Sequence, residues 1–402
     1  LRINPKTNIG SRVSFYNNIK IKSLKNDSEE VNQISGLPKN PKISNLNWSP
    51  DQNKIAFTNT TEDGVNLWIL DLNSARANKV SELKLNANIG SVINWFSDSN
   101  SLLIKVIPKN KSELINSGSV VPVGPKVSTN FGEKAQNRTY QDLLKNKADE
   151  YNFQQLVTSD LFTVSINGIA KKWLDSNMYT NISISPDGNY VMVTKINKPF
   201  SYLVTYRSFP TSVDVFSKDA KFVSNLVDVP LIEELPKGFM SVRKGKRGFS
   251  WRSDKPSVLT YVVALDGGDP QKNTEYRDEI FEINAPFNGK GKSILKTINR
   301  FRGIDWGNSN FAIAYDYWWN TRNEKTYVFN PSTNKKPKII FDRNYQDSYS
   351  DPGSFISERN KFNKNIIRIN SGKAFLIGDG FSDRGQFPFI DQFDTKSFEK
   401  KR

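Results

Sequence analysis

Asn47-Trp48-Ser49-Pro50-Asp51-Gln52-Asn53-Lys54-Ile55-Ala56-Phe57 is the stretch on which the fold turns. An aromatic ring closes one run, residues that tolerate tight dihedrals follow, and an apolar run resumes at Ile55. That order reads as a β-hairpin, with the ring before the turn placed to pack between neighbouring sheets. It recurs from Asn94 to Ile104, Ser183 to Val193, Ser250 to Leu259 and Asp305 to Ala314. Second hairpins follow, as at Leu67–Asn73, Val213–Asp219 and Thr326–Ser332. Four short strands in a unit of roughly 40 to 50 residues is the period of a β-propeller blade, a radial repeat that leaves only short edges unprotected.

The reading is therefore all-β: a β-propeller of six recognisable four-stranded blades over about 43–85, 91–174, 180–228, 248–298, 301–342 and 348–402. Half a blade precedes them, with strands at Arg12-Val13-Ser14-Phe15-Tyr16 and Ile19-Lys20-Ile21. Residues 1–402 are expected to form one propeller domain with an incomplete first blade, in a complete protein of seven or eight blades. An insertion interrupts the second blade over about 109–154. Within it Thr139-Tyr140-Gln141-Asp142-Leu143-Leu144-Lys145 reads as a short helix capped by the threonine.

Composition narrows the chemistry. Of 402 residues 37% are hydrophobic and 12% aromatic, enough for a substantial core. There is no cysteine and no histidine, which removes disulfides, thiol nucleophiles, Cys or His metal ligands and any Ser-His-Asp triad within these residues. The net charge is +16, but its lysines are scattered, many in expected turns, as at Lys42, Lys54, Lys79, Lys109 and Lys335. No recognition helix or RNA-stacking motif accompanies them, so nucleic acid is not an expected partner. No apolar run is long enough to span a bilayer and no secretory signal pattern opens the chain, so membrane insertion is not expected. The chain starts at Leu1 without an initiator Met, so the true N-terminus and any targeting segment are expected to lie outside it.

No complete active site is legible. A nucleophile elbow needs Gly-x-Ser-x-Gly, and the nearest match, Gly380-Phe381-Ser382-Asp383-Arg384, lacks the second glycine, so Ser382 reads as a turn residue. Asp266-Gly267-Gly268-Asp269-Pro270 reads as a hairpin connection, and Glu233-Glu234 as solvated charge. No Gly-rich phosphate loop or calcium-loop spacing occurs, so neither cofactor nor metal is expected.

Many ordered segments resemble one family. They include Ser11–Tyr16, Pro122-Val123-Gly124-Pro125-Lys126, Arg138–Leu144 and Lys198-Pro199-Phe200-Ser201-Tyr202. The match is densest from Ser241-Val242-Arg243-Lys244-Gly245 through Trp251–Ser257 to Leu265–Asp269. Trp318-Trp319-Asn320-Thr321-Arg322, Tyr349–Gly353 and Phe387–Asp391 follow in order. On these residues the chain resembles the glutamyl endopeptidase branch of the prolyl oligopeptidase family of serine peptidases, found in plant chloroplasts and in bacteria including the Bacteroidetes. The resemblance implies the N-terminal propeller portion of such an enzyme, without its C-terminal α/β-hydrolase domain. The chain alone is then expected to be inactive, its partners being peptide substrates and that hydrolase domain. Bacterial members imply a periplasmic or secreted location, plant members a plastid.

A propeller with a narrow mouth admits extended peptides and excludes folded proteins. Cleavage after Glu calls for a cation facing the substrate carboxylate, and arginine suits it best. The candidate substrate-binding residues are Arg243 and Arg247 with Lys244 and Lys246 nearby, and after them Arg207 and Arg252. Two other functions fit a propeller: a free-standing protein-binding scaffold, and a glycosidase or lyase with carboxylates in its channel.

Overall fold

The computed structural model describes residues 2–22, 31–116, 140–333 and 335–402. The segment 122–126 and residues Arg138 and Thr139, used above, lie outside the described residues. The chain divides into two compact units, one made of 1–184 and 188–233, the other of 185–187 and 234–402.

The first unit holds three four-stranded antiparallel sheets. Sheet 1 is Ile43–Trp48, Lys54–Thr61, Gly64–Asp71 and Arg76–Lys79; sheet 2 is Ile93–Trp95, Ser101–Val106, Ser159–Ser165 and Ala170–Asn177. Sheet 3 is Tyr179–Ile184, Tyr190–Ile196, Thr211–Ser217 and Phe222–Val229. The second unit holds three more. Sheet 4 is Arg247–Trp251, Val258–Ala264, Asp278–Asn284 and Lys292–Thr297, and sheet 5 is Arg300–Asn308, Phe311–Trp318, Asn323–Phe329 and Lys338–Asn344. Sheet 6 is Ser354–Phe355, Lys373–Gly378, Phe389–Asp394 and Lys400–Lys401. Each is a propeller blade, and the boundaries read from the sequence fall within a few residues of the observed ones except at the fourth strand of sheet 1 and the first of sheet 6.

Packing explains the hydrophobic pattern. Lys54–Thr61 is buried along nearly its whole length, as a strand covered on both faces must be. Its Ile55 and Phe57 face Ile34, Ile43 and Leu70. Ala56, on the opposite face, joins Leu67 and Ile69 against Ile93, Trp95, Leu102 and Ile104 of sheet 2. Sheet 2 presents Leu103, Leu161 and Trp173 to Ile182, Val191 and Val193 of sheet 3. In the second unit Val262, Ile280 and Leu295 meet Trp306, Ala312 and Phe329, and Ile313 and Val328 meet Ala374, Leu376 and Phe393. Sheets 2 and 5 thus bury both faces against their neighbours.

The founding motif does what its chemistry predicts. Ser49 Oγ donates to Asp51 Oδ1 at 2.5 Å and accepts from the Lys54 amide at 2.9 Å, closing the turn. The Asp51 amide donates to Ser99 Oγ at 3.0 Å, tying it to the equivalent turn of sheet 2. One detail differs: Trp48 is 52% exposed, whereas its counterparts Trp95 and Trp306 are buried. A register shift between Ser44 and Asn47 breaks the in-out alternation of the Trp48 strand.

Two local expectations are corrected. Arg12–Phe15 form no strand; Tyr16 makes a single bridge to Ile43, and the partial first blade is the pairing of Lys20–Lys22 with Val31–Gln33, beside a hairpin of Ile3–Asn4 and Ile9–Gly10. The helix of the insertion is Lys147–Val157, not 139–145. Asp142 has a left-handed φ of 61°, which no helix interior accepts, and Asn146 caps the real helix by accepting from the Asp149 amide at 2.9 Å. Phe153, Leu156 and Val157 form the buried face. Asn86 and Asn88 hold its far end, their side-chain amides donating to the Leu156 carbonyl at 3.0 and 2.6 Å.

In an antiparallel meander the second-to-third turn and the exit of the fourth strand share one end of the sheet. Long connections over 107–158, 197–210, 230–246 and 265–277 leave from that end. Arg207, Arg243, Lys244 and Lys246 lie on them.

Candidate functional site

Residues 238–246 are irregular but pinned. The Ser241 amide turns back to the Gly238 carbonyl, and the Val242 amide donates to the Gly268 carbonyl at 3.1 Å. Gly268 has φ +85°, and a Cβ there would stand 1.9 Å from the Val242 oxygen, so only glycine lets the two loops meet. Arg243 follows, half-buried. Its guanidinium donates to the Lys244 carbonyl at 3.0 Å and to the Lys246 carbonyl, and has no carboxylate within ion-pair range among the described residues. Burial, and then the neighbouring Arg247 charge, lower its pKa from the ordinary value, although an arginine stays protonated at neutral pH. Lys244 is exposed, and the Lys246 ammonium lies 5.1 Å from the centre of the Tyr261 ring.

Beneath this loop lies an ion cluster. The side chains of Asp266 and Asp278 are wholly buried. Arg300 bridges them, with Nη2 at 2.7 Å from Asp266 Oδ2 and Nη1 at 3.1 Å from Asp278 Oδ1, while its Nε donates to the Met240 carbonyl at 2.9 Å. Arg277 reaches Asp266 at 3.0 Å and stacks 4.0 Å from the Trp318 ring centre. Arg247 pairs with Asp278. Backbone amides of Gly268 and Phe301 complete the two carboxylates. Groups this dry need such satisfaction, because each unpaired buried charge costs several kcal/mol on the order-of-magnitude scale.

The six predicted residues therefore separate. Arg247 is paired with the buried Asp278. Arg252 is further removed: it has no exposed surface, sits at the short-turn end of sheet 4, binds Asp254 at 3.0 and 2.7 Å and Glu282 at 2.5 Å, and stacks 3.9 Å from the Trp306 ring centre. These contacts anchor it in the core. Arg243, Lys244, Lys246 and Arg207 remain as cations at loop ends. Arg207 is exposed on a single 3-10 turn, Tyr206–Ser208, without a charged or hydrogen-bonded partner among the described residues.

Arg207 stands at the rim of a cleft of about 370 Å³ in the first unit. Ile89, Leu144, Phe153, Val204 and Phe209 line it, and all five are buried side chains of the core. Neither this cleft nor the Asp266–Asp278 cluster was found by sequence reading. Their residues are far apart in the chain, and Asp266 was read as no more than part of a hairpin connection.

Ser382 is part of a tight hairpin, its hydroxyl donating to the Gly385 carbonyl at 3.0 Å. Among the described residues no three Asp or Glu side chains gather as a metal site.

No family model matches the chain. A probable chloroplastic glutamyl endopeptidase of Oryza sativa subsp. japonica is 35% identical over 424 aligned residues, covering all of this chain and 45% of that protein. The chain is a relative of the glutamyl endopeptidases. The Arabidopsis thaliana protein of the same name is 33% identical, again over the whole chain and 44% of its own length. This chain thus spans less than half of the glutamyl endopeptidases it matches, corresponding to their N-terminal part. A prolyl endopeptidase structure covers 93% of the chain with a TM-score of 0.49 at 12% identity, too distant to bear on function.

Proposed function

We propose that these residues form the non-catalytic propeller of a serine endopeptidase that cleaves peptides after Glu, admitting extended chains to a hydrolase domain supplied by another part of the protein. The observation that carries this is the match, along the whole of this chain, to part of two proteins named glutamyl endopeptidase. The lack of histidine fits a division of labour, since a triad needs an imidazole that this part cannot supply. Arg243 is the residue assigned to the substrate carboxylate. It is cationic, unpaired with any carboxylate among the described residues, and able to exchange two carbonyl partners for a charge-assisted, bidentate pair. Lys244 and Lys246 add positive potential around it. The relatives' chloroplastic names support a plastid location; a periplasmic or secreted one rests on resemblance to bacterial members alone.

Hydrolysis of a fluorogenic peptide with Glu at the cleaved position tests the reading, comparing this 402-residue chain with the full-length product. Activity is expected only in the full-length protein, blocked by a serine-directed phosphonate. There Arg243→Gln is expected to lower the Glu-over-Gln ratio of kcat/KM by roughly 10- to 100-fold, the range of a lost charge-assisted bond. Activity in the 402-residue chain, or an unchanged ratio, overturns it.

A further inference from the structure

We infer that the cleft beside Arg207 is a second peptide subsite, taking an extended segment that carries a large apolar side chain and a carboxylate on the same face. The inference rests on the peptide-handling reading above, but on different residues.

The floor is rigid. Phe153 meets Phe200 and Phe209 edge-on at 5.0 and 5.6 Å between ring centres, and Phe200 stacks on Phe209 at 5.3 Å. Around these rings the cleft encloses about 370 Å³, at the small end of ligand pockets and fit for one large side chain with its backbone. An apolar wall of this kind gives affinity without direction; the rim gives direction. Arg2, the other cation there, is taken by Asp142 at 2.6 Å and Gln141 at 2.5 Å. Arg207 is not taken by any described residue, and among the described lining residues the rim keeps one net positive charge. A ligand complementary to both features is apolar at one point and anionic at another.

Spacing favours a peptide over a free acid. Arg207 is the middle residue of a 3-10 turn, two positions before the floor residue Phe209, and the Ser208 and Phe209 amides hold that turn by bonding to Thr205 and Tyr206. In an extended peptide, side chains two positions apart share a face at about 6.5 to 7 Å. A Leu-x-Glu segment therefore presents the required pair.

The test is isothermal titration of the 402-residue chain with acetyl-Leu-Ala-Glu-amide, its Gln and Ser-Ala-Glu counterparts, and octanoate. The Glu peptide is expected to bind about tenfold more tightly than the Gln peptide, as befits one charge-assisted contact. Arg207→Gln, an exposed change that leaves folding intact, is expected to erase that difference, and the Ser peptide to lose binding. No binding, equal binding of Glu and Gln peptides, discrimination that survives Arg207→Gln, or octanoate binding as tightly as the peptide overturns the subsite. Loss of discrimination in Arg243→Gln instead would place the carboxylate on the other loop, overturning the cleft while leaving the proposed function standing.

Discussion

Two arginines flank one strand of sheet 4 and live in opposite conditions. Arg243 precedes Arg247–Trp251 at the long-loop end and meets only carbonyls of its own loop. Arg252 follows it at the short-turn end, fully enclosed between two carboxylates and an indole ring. Sequence makes them look alike; surroundings make one an anchor and leave the other with chemistry to spare. A buried arginine that is fully paired holds the fold. One held only by carbonyls can trade them for a ligand at small cost.

The largest expected effect comes from the anchor. Arg252→Met strips Asp254 and Glu282 of their guanidinium in a dry site and is expected to cost about 3–5 kcal/mol in urea unfolding. A loss below about 1 kcal/mol would break the comparison, because Arg252 would then be no more committed than Arg243.

Lys105 sharpens it from a third position: fully buried, it donates to the Ile89 carbonyl and has no carboxylate partner among the described residues. Burial pushes its pKa down from 10.5 to about 7. Between those values the unfolded chain holds a proton that the folded chain lacks, so this group makes stability rise with pH across that window, while below about 7 the full penalty applies. Lys105→Met is expected to stabilise by on the order of 3 kcal/mol at pH 6, less the lost hydrogen bond, with the gain fading toward pH 10. A gain that does not depend on pH would mean the ammonium is solvated or paired after all.

The smallest expected effect on stability belongs to Arg243→Gln, within about 1 kcal/mol of the unchanged chain, because two carbonyl bonds at a partly exposed loop are all it loses. The same variant carries the large expected change in Glu preference. A large stability loss would move Arg243 into the class of Arg252 and remove it as a substrate residue.

The sequence by itself determined the blade repeat, because Ser-Pro-Asp turns and alternating strands are local chemistry repeated at a fixed period. The Ser49–Asp51–Lys54 closure needs nothing beyond its own hairpin. It also settled that these 402 residues hold no histidine for a triad, which is a matter of counting. It could not rank Arg207, Arg243, Arg247 and Arg252, whose worth depends on where Asp278 and Glu282 arrive from another strand. Nor could it place the insertion helix, which starts where Asn146 caps it and ends where Asn86 and Asn88, far earlier in the chain, receive its last carbonyls. Only tertiary structure decided those points, because a charge is neutralised by whatever folding brings within about 4 Å of it, and sequence distance carries no record of that.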